Sequence, residues 1–337
     1  MDEELITEET IDKSEAKNAY KKIGLFLFSF AAISVGVQFG VEKLLVLFSP
    51  NAGEMIINEA WFIYLLSVVP MYLIALPISL KIIDKEPINN KPTKKLTFKQ
   101  FLELYLICVP LMYAGNLIGT LLSTLINGGA YDNPLNEIMT QNQLLNFLFA
   151  VIIAPIMEEF VFRKTLIDHT SKYGEGIAIV FSALCFGLFH MNLYQFFYAF
   201  AIGMIFGFVY TKTKQIKYSI FMHMIINFFG GIVATAILTE IDIDMLSSLT
   251  PETIMYLDPD TIMSLVLPCL GLLAYAFGII VIAIIGLVIL IKKRDKFVVD
   301  EVPFGLEKKE VINNAYINVG FILFLVICIG FTIASFI

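Results

Sequence analysis

Long apolar stretches separated by short polar connections fill this chain from Ile23 onward. Nine runs can be read, at Ile23–Phe48, Trp61–Ile82, Phe101–Ile126, Leu144–Ile167, Gly176–Met191, Asn192–Thr211, Tyr218–Leu238, Ile262–Ile291 and Tyr316–Ile337. A helix needs about 20 apolar residues to cross a bilayer. The pattern therefore predicts an all-α, polytopic integral membrane protein with eight to nine transmembrane helices and any site held in the core of a helix bundle. Residues 176–211 set the range in that count. They barely suffice for two crossings, and their joint is only Met191-Asn192-Leu193-Tyr194-Gln195. The tip of this hairpin is expected below the outer surface. An even number of spans follows if the hairpin is irregular or a terminal run lies in the interface.

The connections carry an orientation signal. Lys and Arg gather before the first run, in 81–99, around Arg163–Lys172, in 212–217 and in 292–309, whereas 49–60, 127–143 and 239–261 contain neither. Cytoplasmic loops hold the Lys/Arg excess, so the expected protein is multi-pass in the cell membrane with its N-terminus cytoplasmic. Residues 1–22 read as an acidic cytoplasmic tail and 23–337 as a single transmembrane domain. The start lacks the basic region, short apolar core and small-residue cleavage site of a secretory signal, so the first run is expected to stay as an anchor. Small residues recur at spacing four (Ala199, Gly203, Gly207; Gly115, Gly119), which predicts close helix packing.

Composition agrees and narrows the function. The chain is 58% hydrophobic and 16% charged with a net charge of −7, and its mean hydropathy is +0.80. Average soluble domains are about 45–50% apolar and about 25% charged. A soluble enzyme, a disulfide scaffold, a disordered chain and a basic nucleic-acid binder are excluded. Cys108, Cys185, Cys269 and Cys328 lie in apolar runs without CxxC spacing and read as small core residues.

The chemistry must come from polar residues at membrane depth, which are expensive and functional by default. Glu158 and Glu159 lie about ten residues before the cytoplasmic end of run four, roughly 15 Å deep. Glu159 and Arg163 are four apart in the favourable order for a same-face pair, with Arg163 near enough to the helix end to snorkel. Glu158 is turned about 100° away and has no partner in its own helix. Pro155, just upstream, is expected to kink the run. His190 ends run five, His223 and Asn227 share one face of run seven, and His169 reads as solvated.

Two carboxylates, two imidazoles and an amide on neighbouring helices make a hydrolytic set. A carboxylate beside an imidazole can take a proton from water, and a second imidazole and an amide can hydrogen-bond an oxyanion. The same side chains could ligate zinc, although no HExxH-type chelate exists. Depth is in tension with this: a nine-span ruler puts His190 toward the outer side and Glu158 and His223 toward the inner side.

Glu158-Glu159-x-x-x-Arg163, Phe186-x-x-x-His190 and His223-x-x-x-Asn227, in that order on successive runs, resemble the CPBP family, which includes the type II CAAX prenyl endopeptidases and the Abi or bacteriocin self-immunity proteins. The resemblance covers residues 145–230, and no motif position departs from the pattern. It implies an intramembrane endopeptidase in which Glu158 and His190 activate water and His223 and Asn227 stabilise the oxyanion. Glu159, Arg163 and Phe186 support the site. Family members are described both as metal-independent glutamate proteases and as metalloproteases. The first needs no cofactor; the second would place a divalent metal such as zinc on Glu158, His190 and His223. The implied partners are membrane lipid and a peptide or membrane-protein substrate, with a leader peptide, pheromone or bacteriocin-related peptide expected ahead of a prenylated protein. Two other classes compete: a non-catalytic scaffold or immunity factor binding a membrane sensor or peptide-export partner, and a proton-coupled transporter, against which the lack of an internal repeat counts.

Overall fold

A computed structural model of the chain describes residues 12–49, 59–84, 94–129 and 142–336. Part of the predicted acidic tail (1–11), Lys85 and Lys91 of the basic loop, and the middles of connections 49–60 and 127–143 lie outside the described residues. All regular structure among the described residues is helical. Among the described residues seven helices are long and apolar enough to cross a membrane: α1 (Lys13–Phe48), α2 (Trp61–Ser79), α3 (Phe98–Ile126), α4 (Gln143–Tyr173), α6 (Leu193–Thr213), α7 (Ile216–Thr239) and α8 (Pro259–Lys296). Between α4 and α6 lies the shorter α5 (Glu175–Phe189). An eighth span forms if α9 (Lys308–Tyr316) and α10 (Val319–Ala334), bent by 53°, act as one.

The nine-run reading is corrected at α5. Its 15 residues reach about 22 Å at 1.5 Å per residue, short of a hydrocarbon core of about 30 Å. The hairpin tip therefore lies within the bundle, which removes the depth conflict: His190, capping α5, stands level with residues of α4 and α7. Met191 stops α5 in the left-handed conformation with φ 53°. Asn192 then starts α6, its Oδ1 accepting the Gln195 N–H at 2.9 Å, a standard N-cap contact.

α6 is held between α3 and α5 by the predicted small residues. A Cβ on Gly115 would strike the backbone of Tyr198, and one on Gly119 would strike the Leu193 carbonyl, so helices approach to backbone contact there. Aromatic rings fill the centre: Phe30 stacks on Phe189 at 5.0 Å, and Phe162 packs on Phe186 at 5.4 Å. Cys108, Cys185 and Cys328 are buried, in keeping with their reading as core residues, whereas Cys269 is only half-buried on α8; all four are unpaired.

The lysine-bearing ends are tied by polar contacts. Lys22 pairs with Asp84 at 2.5 Å, and Lys212 pairs with Glu175 at 2.5 Å. Tyr210 donates to Asp168 at 2.8 Å. Lys214 caps α6 in the left-handed region, and burial holds its ammonium below the usual lysine range against the opposing pull of Asp168 and Glu175. His169 is not the solvated residue expected. Its Nδ1 sits 2.7 Å from the Thr165 carbonyl and its Nε2 sits 3.1 Å from the Asp84 carbonyl, joining α4 to the end of α2.

Candidate active site

The site is built first by α4. Glu158 and Glu159 occupy an α-helical piece, Ala154–Glu159, between two π-helical turns, Phe147–Ile153 and Phe160–Thr165. Single π turns inside α-helices concentrate at functional sites. The first runs up to Pro155. The Ala154 N–H reaches back five residues to the Phe149 carbonyl. The next residue is Pro155, which has no N–H, so the Ala150 carbonyl loses its helical donor. A half-buried carbonyl at membrane depth needs a replacement. Asn227 supplies it from α7, its Nδ2 donating to the Ala150 oxygen at 2.8 Å. The proline thus frees a backbone acceptor that fastens α7.

Glu159 and Arg163 form the predicted pair, 3.2 Å apart and both fully buried. Arg163 does not snorkel. Its guanidinium lies inward, 4.3 Å from the ring centroid of Phe186 and 5.4 Å from that of Phe206. Arg163 sits in the second π turn, among tightly packed rings of α5 and α6, and the cation faces aromatic surfaces and the carboxylate instead of water.

Glu159 also holds His223. Its Oε1 lies 3.1 Å from His223 Nδ1, and a carboxylate can only accept, so Nδ1 carries the proton. That tautomer turns Nε2 toward Glu158, whose Oε2 is 3.6 Å away. One imidazole therefore lies between the two adjacent carboxylates, with Glu159 closed off by Arg163 and Glu158 partly open (18% exposed).

His190 is fixed by the same logic. Its Nδ1 is 2.8 Å from the Phe186 carbonyl, so that nitrogen donates and Nε2 keeps its lone pair. The Phe186 ring stands edge-on to both imidazoles, 4.9 Å from His190 and 5.7 Å from His223. His190 lies within electrostatic range of Glu158 and His223. The structure brings together Glu158, Glu159, Arg163, Phe186, His190 and His223, with Asn227 one turn along α7 and engaged at Ala150.

Some neighbours left no signal in the sequence. Phe206 faces both Arg163 and His223 but reads as one more core aromatic. Tyr72 of α2 and Tyr198 of α6 lie within electrostatic range of Glu158. Asn192 donates to the His190 carbonyl at 2.7 Å and Gln195 donates to the Tyr198 hydroxyl at 3.0 Å, making a polar strip beside His190. The Asn-x-x-Gln spacing of a helix start was the available hint.

The conditional metal set was Glu158, His190 and His223. Among the described residues no three His, Cys, Asp or Glu side chains gather as ion ligands. Zinc requires three or four donors at about 2.0–2.3 Å from one point, and Glu158, His190 and His223 are not gathered around one point here, although Nδ1–H bonds to Glu159 and the Phe186 carbonyl leave both Nε2 atoms with free lone pairs. No step below passes through an ion.

Residues 140–229 match a family model described as type II CAAX prenyl endopeptidase Rce1-like. The matched segment holds every motif residue from Glu158 to Asn227 and is similar to the family that the motifs resemble. Over 89 residues the chain is 34% identical to YdiL of Bacillus subtilis (strain 168), whose name carries a provisional membrane-peptidase description; the match covers 25% of this chain and 35% of that protein. Over 162 residues it is 30% identical to the membrane-embedded CAAX protease MroQ of Staphylococcus aureus (strain USA300), covering 45% of this chain and 65% of that protein. The chain thus spans about a third of the first relative's length and just under two thirds of the second's. No solved structure matches it significantly.

Proposed function

We propose that the protein is an intramembrane endopeptidase that uses Glu158 as the general base. One observation carries this reading. Glu159 is taken up by Arg163 and His223, whereas Glu158 faces the second nitrogen of the same imidazole. The names of the relatives, a membrane peptidase and a CAAX protease, support the reaction class.

In this mechanism Glu158 and His190 Nε2 hold a water, and Glu158 takes its proton as the oxygen attacks the scissile carbonyl carbon. The proton passes to His223 Nε2, and the imidazolium is stabilised by Glu159 through Nδ1. Its N–H, with the second amide hydrogen of Asn227, meets the oxyanion. Collapse of the tetrahedral intermediate breaks the C–N bond, and the proton leaves on the amine. Arg163 pairs with Glu159 and holds it against His223 Nδ1, and so keeps His223 in the working tautomer. The substrate is a peptide or membrane-protein segment entering the bundle, with leader peptides, pheromones and bacteriocin-related peptides ahead of prenylated proteins.

The test is cleavage of a quenched peptide library by the detergent-purified protein. General base catalysis contributes about 10²–10⁴-fold, so Glu158→Gln should lose activity on that scale while staying folded, and His190→Ala should behave similarly. Robust cleavage by Glu158→Gln would overturn the assignment.

A further inference from the structure

A cavity of about 370 Å³ opens between the start of α3 and the start of α7, lined by Leu96, Phe98, Phe101, Tyr218, Phe221 and Ile225. It is separate from the active site. Tyr218, Phe221 and Ile225 follow the i, i+3, i+7 spacing of one helical stripe, while His223 is two residues from Phe221, about 200° around α7.

Hydrogen bonds fix the walls. The Leu96 N–H donates to the Tyr218 hydroxyl at 3.1 Å, and Gln215 Nε2 donates to the Lys94 carbonyl at 2.8 Å. The segment leading into α3 is thereby pinned to α7. Phe98 and Phe221 stay 80% and 56% exposed at the rim, like aromatic residues at a bilayer interface. The charge beside this apolar space is of one sign. Lys94, Lys95, Lys99 and Lys217 are all exposed, and neither 94–101 nor 216–225 contains an Asp or Glu. Lys217 Nζ lies 5.1 Å over the Tyr218 ring.

We propose that this cavity is a binding site for an anionic phospholipid, with an acyl chain among the aromatic walls and the phosphate among the four lysines. A free anion has no use for the apolar volume, and a zwitterionic lipid leaves the lysine cluster unneutralised. The lipid packs against the outer stripe of α7, the helix that carries His223, and braces it from behind.

The test uses the full-length protein in mild detergent, with phosphatidylglycerol or phosphatidylcholine added, and reads retained lipid by native mass spectrometry. The wild type should retain phosphatidylglycerol at least tenfold better than phosphatidylcholine. A lysine near an anionic lipid surface is worth about fivefold in binding, so the quadruple substitution Lys94→Gln, Lys95→Gln, Lys99→Gln and Lys217→Gln should erase that preference. All four positions are exposed, so the fold is not at stake. Ile225→Trp, which fills the cavity with the lysines intact, should weaken retention of both lipids. Equal retention of the two lipids by the wild type would overturn the proposal. So would undiminished phosphatidylglycerol on the quadruple variant, or displacement of the lipid by soluble glycerol phosphate, which would leave a bare anion site.

Discussion

α4 and α8 are both long apolar helices with a proline inside, and they accommodate it differently. In α8 the α-helix runs from Pro259 to Lys293 through Pro268 without interruption, as α3 does through Pro110. In α4 two π turns flank the piece holding Pro155 and the carboxylates. A proline is therefore neither sufficient nor necessary for a π turn: α7 has one at Phe228–Val233 with no proline, and α2 has one at Val69–Ala75 around Pro70. What sets α4 apart from α8 is the set of partners from other helices: Asn227 for the orphaned Ala150 carbonyl, His223 for Glu159, and the rings of Phe186 and Phe206 for Arg163. α8 has fewer such neighbours. Its buried positions are Leu265 and Gly286, and its polar ties include Lys293 to Glu103 of α3 and the Tyr275 hydroxyl donating to the Phe229 carbonyl of α7 at 2.8 Å. One helix is shaped by what it must satisfy, the other by lipid.

That contrast can be broken most forcefully at Arg163. Arg163→Met leaves Glu159 buried without its cation, and removing one partner of a buried pair costs about 3–5 kcal/mol. Denaturant unfolding in detergent should register that loss, whereas Leu273→Ala on the lipid face of α8, 65% exposed, should stay within about 0.5 kcal/mol. Equal effects would mean that the polar cluster is not what organises the bundle.

A smaller effect tests α8 against itself. A Cβ at Gly286 would overlap the Leu106 carbonyl, while Gly278 has nothing within 4 Å. Gly286→Ala is expected to cost about 1–3 kcal/mol through overpacking, and Gly278→Ala should be neutral or slightly stabilising because alanine favours the helix. The same unfolding assay reads both.

The link between Pro155 and Asn227 calls for a double-mutant cycle. Asn227→Leu strands the Ala150 carbonyl. In a Pro155→Ala background the new N–H can satisfy that oxygen, so the second loss should be smaller, with a coupling of about 1 kcal/mol. Strictly additive losses would show that the proline and the amide are unrelated. At the small end, exhaustive chelation should leave peptide cleavage unchanged, because among the described residues no three ligand side chains gather around one point. Loss of activity with zinc rescue would require a rearranged site.

Much of this protein was legible as a string. Membrane spans are additive in residue hydropathy, so the runs and their lysine asymmetry could be read without contacts. The Glu159–Arg163 pair was also readable, because it lies within one helix and obeys its period. The length of α5 was not. Apolar residues continue through the Met191 joint, and the stop comes from backbone conformation there, which hydropathy does not register. Nor could periodicity show that Arg163 turns inward, since snorkelling and burial differ only in what surrounds the side chain.

The sequence by itself determined an all-helical membrane chain and the identity of the side chains available for chemistry, because each depends on single residues or on neighbours one turn away. Only the tertiary structure decided their pairing. Which carboxylate takes His223, which carbonyl takes Asn227 and which rings cover Arg163 depend on the rotation and depth of α4, α5, α6 and α7 relative to one another. Those are set by backbone contacts such as Gly115 on Tyr198 and by the need to satisfy each buried polar group from another helix.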